Sequence, residues 1–244
     1  AVVFLQVPVD VSPTEAFLAD ERHAGRRITR FQVLLAAMVR TLHDRPHLNR
    51  FVKGGRLWQR DHVALTFAVK RRFDDRSRIV STHVRFEADD DLDDVVDRIA
   101  RATDRSRTSA RPRSETLPNR LARLPGPLRR AILATHDRLD HLGVLPARLL
   151  ATSPLHTSAM VSNLGSLGLD SALHHLYEPG TCSINLTMGE VRQRPVVLDD
   201  GTVAARPVLR LGFAYDERIC DGYYAARTIE QLTEHLRDPA GLRR

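Results

Sequence analysis

Between Asp216 and Tyr223 the chain reads Glu217-Arg218-Ile219-Cys220-Asp221-Gly222, two carboxylates four residues apart with a thiol between them. A glutamate ordinarily titrates near 4.3. Burial can raise it to about 8 or 9, where it becomes a usable base, whereas an arginine partner keeps it ionised and structural. With 37 Lys and Arg in the chain, the paired state is the expectation for Glu217. Cys220 can act as a nucleophile only if its thiol is acidified below about 8.5. Otherwise it is a small buried apolar residue, which is the expectation here. Upstream, Ser162-Asn163-Leu164-Gly165-Ser166-Leu167-Gly168 follows the apolar Ala159-Met160-Val161, and His174-His175-Leu176-Tyr177 comes shortly after it. Histidine is the side chain whose ordinary pKa, about 6.5, suits proton transfer near neutrality, provided that the ring points into a channel. Beside strands, such a run is otherwise a hydrogen-bonded packing element.

Other chemistry is weakly signalled. His43 and His47 are four residues apart, but Pro46 stands between them and ends the helix, so the two rings need not share a face. His23, His62, His83, His136, His141, His156 and His235 show no ligand spacing with cysteines or paired carboxylates, and no metal site is expected. Neither a GxGxxG nor a Walker pattern occurs, so nucleotides have no evident cradle.

The candidate residues need elements to hold them. Pro207, Leu209, Leu211, Phe213 and Tyr215 alternate with Val208, Arg210, Gly212 and Ala214, a strand with one packed face that ends just before Glu217. Beyond the turn, Asp221 takes a helix N-cap position, and Ala225, Ile229, Leu232 and Leu236 recur at helical spacing before Pro239 and Gly241. Val63, Leu65, Phe67 and Val69 mark a strand over 62–70, and Val80, Thr82, Val84 and Phe86 another over 78–86. Ser12-Pro13-Thr14-Glu15 reads as a capping box opening a helix to about residue 24. Thr29-Arg30-Phe31-Gln32 repeats the device ahead of the stripe Phe31, Leu34, Leu35, Met38, Val39 and Leu42. Asp89 to Asp94 put negative charge at the start of a helix carrying Leu92, Val95, Val96 and Ile99, with Arg98 and Arg101 toward its end, as the helix dipole favours.

The Glu217 to Gly222 turn, set between strand and helix, has the frame His-x-x-x-Asp-Gly with a glutamate in the histidine's place. In this it resembles the catalytic domains of the dihydrolipoamide acyltransferases of the 2-oxoacid dehydrogenase complexes, and their relative chloramphenicol acetyltransferase. The Ser162 segment is similar to that family's Ser-Asn-Leu-Gly. Val7 to Val11 with the helix after it, and Phe31 to Leu48-Asn49, resemble its opening strand, helix pair and Pro-x-Leu-Asn element. His62 to Lys70 looks like the strand that follows, and Asp199-Asp200-Gly201 like the penultimate hairpin. The likeness covers most of the chain outside 108–155.

The resemblance implies an α/β fold, a chloramphenicol acetyltransferase-like two-layer sandwich with a mixed sheet flanked by helices, forming one catalytic domain over 1–244. It implies a homotrimer with the active site in a channel between subunits, entered by coenzyme A or acyl-CoA from one side and a lipoyl-type carrier from the other. In the family a histidine takes the thiol proton as sulfur attacks a thioester, a serine steadies the oxyanion, and the aspartate fixes local geometry through an arginine. Carried onto this chain, Ser162 is the oxyanion donor with Asn163 beside it. Glu217 sits where the base belongs, and Arg218, Asp221 and Gly222 complete the motif. His174 and His175 are auxiliary candidates for the missing imidazole. A thiol near 8.5 and a glutamate near 4.3 differ by about 4 units, which makes the transfer uphill by roughly 5 to 6 kcal/mol, against about 2 units for a histidine. Two functions follow: acyl transfer from a thioester, or a catalytically silent trimeric scaffold or ligand-binding relative of the same fold.

Composition narrows the field further. At 244 residues and 42% hydrophobic the chain can fill one large α/β core. Its formal charge is +7, but the basic residues are interleaved with 30 acids and aromatics are few, so no nucleic acid partner is expected. No run of about 18 apolar residues occurs, which argues against a membrane helix. Cys182 and Cys220 are too few for a disulfide framework, as suits a reducing cytoplasm. Residues 105–155 break the composition, being proline-broken and dense in arginine (Arg105, Arg107, Arg111, Arg113, Arg120, Arg123), with Leu128, Ile132, Leu139 and Leu142 at helical spacing. They read as a basic helical insertion packed over a neighbouring subunit or the substrate channel. The first residues, Ala1 to Val7, read as a strand already under way, so the natural chain is expected to extend upstream. No Asp-Lys-Ala lipoylation hairpin is present, so no lipoyl domain is expected within these residues.

Overall fold

The computed structural model describes residues 1–70, 79–108, 124–141 and 153–243. The period-2 run before Glu217 is the end of a long strand, β9 (Val203–Asp216), the scaffold on which the others assemble. It pairs antiparallel with β1 (Val2–Asp10) on one side and with β7 (Ile184–Met188) on the other. From β7 the sheet continues through β6 (Ala159–Asn163) and β4 (Val63–Lys70), both parallel joins, to antiparallel β5 (Ile79–Phe86). The first half of β9 forms a hairpin with β8 (Arg192–Val197), turning at Gly201.

Helices α1 (Ser12–His23), α2 (Arg30–Asp44), α3 (Leu92–Thr108) and α5 (Gly222–Arg237) cover one face of this sheet. Leu211, Phe213, Leu186, Val161 and Leu65 pack there against Leu34, Leu35, Met38, Ile99 and Leu232, all buried. The alternate residues of the same strands make an outer face of different character. One row runs Ser162, Thr187, Gly212, Gln6, and the next His83, Thr66, Met160, Asn185, Ala214, Phe4. Since successive side chains alternate faces, one strand supplies both the apolar core and this polar surface.

Two expectations change. The helix read as opening at a Ser12 capping box has Val11 at its cap position with no side-chain cap bond. Asp10 intervenes, its carboxylate accepting from the Ser12 N–H at 2.8 Å and the Ser12 hydroxyl at 2.6 Å, because an ionised carboxylate is the stronger acceptor. The Thr29 box does form, with Gln32 N–H to Thr29 Oγ1 at 3.2 Å and Thr29 N–H to Gln32 Oε1 at 2.9 Å. A hairpin of β2 (Arg50–Lys53) and β3 (Arg56–Gln59) was not expected. It turns on Gly54-Gly55, whose positive φ values of 57° and 70° suit a two-residue hairpin loop. Within the 105–155 segment, α4 (Gly126–His141) is helical as read, but Leu128, Ile132, Leu133 and Leu139 are 37–49% exposed. Residues 109–123 and 142–152, with Arg111, Arg113, Arg120, Arg123 and Leu142, lie outside the described residues.

Candidate active site

Ser162 lies near the exit of β6 with its side chain on the outer face, opposite Thr187 of β7. It is half-buried, and its hydroxyl makes no bond to protein among the described residues. The turn after it is closely held. Asn163 Oδ1 accepts from the Ser166 N–H at 3.0 Å, and the Leu164 N–H donates to Met188 O at 2.8 Å. Gly165 is needed for space, since a Cβ there would stand 2.4 Å from the carbonyl oxygen of Gly189. Asp170 closes the turn, its Oδ2 accepting from Arg194 Nη2 and Arg210 Nη1, each at 3.0 Å. Asn163 therefore shapes the loop, and its carbonyl amide oxygen is spent within it.

From Asp170 the chain runs as an extended strap over the outer face. Gln6 Nε2 donates to Ser171 O at 3.2 Å and Thr187 Oγ1 to Ala172 O at 2.5 Å. A side chain at Gly212 would meet Ala172 O at 2.5 Å, so the strap lies directly on β9. The strap carries both candidate histidines. His174 Nδ1 is 2.7 Å from the His175 carbonyl oxygen and 3.1 Å from Asn185 Nδ2. His175 instead packs edge-on against Phe4, with ring centroids 5.6 Å apart, and is the packing element that the sequence allowed.

Glu217 begins the turn after β9 and is exposed. Its N–H donates to Ala1 O at 3.1 Å, and its carboxylate has no ion pair among the described residues. The expected arginine partner is absent because Arg218 turns to Asp216, donating Nε to Oδ1 at 2.8 Å and Nη2 to Oδ2 at 2.6 Å. Asp221 has no arginine partner among the described residues either. Its carboxylate accepts from the Tyr224 N–H at 2.8 Å and caps α5, the N-cap place read from the sequence. Gly222 has open space where a Cβ would be. Cys220 is pushed up to about 11 by burial and then by the Asp221 charge, with Arg50 opposing. Burial likewise holds Cys182 at about 11. Neither thiol is acidified.

The two halves of the proposed site stand apart within one chain. Ser162 pairs with Thr187 and Thr187 with Gly212, two strands away, while Glu217 comes five residues after Gly212, just past the end of β9. That is about 10 Å across and about 17 Å along, roughly 19 Å in all. His174, by contrast, touches Asn185, the outer-face residue diagonal to Ser162 across the β6–β7 join. Ser162 and Asn185 are therefore about 8 Å apart. The sequence reading missed Asn185, Thr187 and Asp170. The polar residues alternating in Ile184-Asn185-Leu186-Thr187-Met188 were a signal of a second functional face. His83 lies on the same face, four strands from β9, and burial lowers its pKa to about 4. No group of three or more His, Cys, Asp or Glu fit for a metal occurs among the described residues, and none of their helices could cross a membrane.

Comparison with known proteins points one way. Residues 152–243 match the family described as 2-oxoacid dehydrogenases acyltransferase (catalytic domain). The dihydrolipoyllysine-residue acetyltransferase component of the Staphylococcus aureus pyruvate dehydrogenase complex is 26% identical over 113 residues, 46% of this chain. That match spans only 26% of the relative's length. Among solved structures, the cubic core of the pyruvate dehydrogenase multienzyme complex gives a TM-score of 0.68 at 19% identity, covering 99% of this chain and 83% of that one. A chloramphenicol acetyltransferase gives 0.57 at 13% identity, covering 96% and 88%. At such identities the likeness is one of fold, and the two-layer α/β arrangement is the expected one.

Proposed function

We propose that this relative of the dihydrolipoamide acyltransferases transfers acyl groups between thiols, with coenzyme A and a lipoyl-type carrier as the two classes of partner. A thiol attacks the carbonyl carbon of an acyl thioester, the Ser162 hydroxyl donates to the oxyanion, and the adduct collapses by expelling the first thiol. The proton leaving the attacking sulfur passes to Glu217 or to an imidazole beside Ser162, and returns to the departing one. Glu217 can reach Ser162 only from another copy, since about 19 Å separates them within one chain. A homotrimer that closes the site between subunits meets that need, and α4 presents its apolar stripe for burial in such an assembly.

The observation carrying this reading is the Ser162 hydroxyl, which bonds to no other described residue, lies on the polar face and is fixed by a turn inside the matched segment. It is tested by acyl exchange between acetyl-CoA and dihydrolipoamide. Ser162→Ala should lower kcat/KM by about 100-fold or more with the fold intact. If the wild-type protein exchanges nothing, the silent scaffold replaces this reading, and the exposed, unpaired Glu217 favours that alternative. Glu217→His separates the two proton routes. A gain would mean that the motif lacked only its base; no gain leaves the proton with an imidazole near Ser162.

A further inference from the structure

We infer that His174 Nε2, held in one tautomer by the strap, is the proton acceptor for the thiol at Ser162, so that both groups of the site belong to the same chain. The inference rests on the acyl-transfer reading and names the base that Glu217 does not supply. A carbonyl oxygen can only accept, and the His175 oxygen lies 2.7 Å from His174 Nδ1, so Nδ1 carries the hydrogen. With its amide turned so that oxygen faces the ring, Asn185 shares that hydrogen at 3.1 Å. In a neutral imidazole this leaves Nε2 unprotonated. Nε2 has no protein partner among the described residues, and His174 is exposed. A backbone or amide acceptor at Nδ1 is the arrangement that orients a histidine for proton transfer at its other nitrogen.

Spacing agrees with the chemistry. In the adduct, a hydrogen bond from Ser162 to the oxyanion, the separation of oxygen and sulfur, and the contact of sulfur with Nε2 are each about 3 Å, together spanning about 8 to 9 Å. Asn185, against which the His174 ring is set, stands about 8 Å from Ser162. In the forward step the S–H proton goes to Nε2 as the new C–S bond forms. In collapse the old C–S bond breaks and the proton returns to the departing sulfur, so the enzyme ends as it began. The strand residues beneath the ring, Asn185, Ala214 and Phe4, do not titrate; His175, Tyr177 and Glu178 are the titratable neighbours on the strap.

His174→Asn keeps a donor near the Nδ1 position and removes Nε2. It should lower kcat/KM at least 100-fold and abolish the acidic limb of its pH profile, while thermal unfolding confirms a folded protein. The placement in one chain is read by co-refolding Ser162→Ala with His174→Asn protomers. No mixed oligomer then holds a site with both groups, and activity should stay at the level of the single variants. Recovery on mixing would overturn the shared-chain placement, and wild-type activity in His174→Asn would overturn the role itself while leaving acyl transfer standing if Ser162→Ala is inactive. Absence of exchange by the wild-type protein would instead overturn the proposed function, and this role with it.

Discussion

Cys220 sits in the turn that carries the acyltransferase motif, yet its surroundings suppress its reactivity. A thiol pushed up to about 11 has a thiolate fraction at pH 8 about 200-fold below that of an ordinary thiol near 8.5. Iodoacetamide should therefore alkylate it far more slowly than a free cysteine, as peptide mass spectrometry over time can follow, and Cys220→Ala should retain acyl exchange. At Glu217 the surroundings do the opposite of what a thiol base needs. The carboxylate is exposed and has no ion pair among the described residues, so the single chain gives it no enclosed, oriented seat. His174 has what Glu217 lacks, a neighbour that dictates which nitrogen is free.

Among the elements, α5 and the strap do the positioning. Asp221 ends the motif turn by capping α5, and Asp221→Ala should cost about 1 kcal/mol in chemical denaturation, with Asp221→Asn recovering most of it. The strap depends on Gly212, where a Cβ would meet Ala172 O at 2.5 Å. Gly212→Ala should lift the strap, destabilise the fold by about 1 to 3 kcal/mol and lower exchange together with the His174 contact. A melting curve and an activity assay on one preparation would check this, and unchanged activity would mean that the strap does not position the site. The period-2 and helical patterns that announced β9, β4, β5, α2, α3 and α5 were legible because burial on one face forces them. The strap had no such pattern, since an extended segment lying on a sheet face bonds to strands distant in sequence. The β2–β3 hairpin escaped because four-residue strands are too short for alternation to register. At Ser12 the capping box was a correct motif outcompeted by a neighbouring carboxylate.

Across the whole molecule, Glu21 ties the C-terminal turn to the helical layer. Its buried carboxylate accepts from Arg26 Nη2 at 2.8 Å and from Arg243 Nη1 and Nη2 at 2.9 and 2.8 Å, while Arg243 also reaches Asp93 of α3. Hydrogen bonds from Arg26 and then Arg243 lower its pKa from 4.5 to about 2. A depressed carboxylate stabilises the fold above its unfolded value and loses that contribution as pH falls through the folded one. Wild type should therefore exceed Glu21→Gln in melting temperature above about pH 4.5, with the gap closing toward pH 2. Sedimentation should give a particle of three chains, and a monomer that still exchanges acyl groups would contradict a site closed between subunits.

The amino-acid order alone determined the strand, turn and helix around residues 217–222, the seat of Ser162 after an apolar strand, and the loss of the imidazole from the motif, because each is written in neighbouring side chains. Which surviving groups meet was decided only by the tertiary structure. Sheet pairing sends Glu217 to the far end from Ser162 and lays His174 on Asn185. Those distances come from register between strands remote in sequence, a quantity that no local pattern encodes.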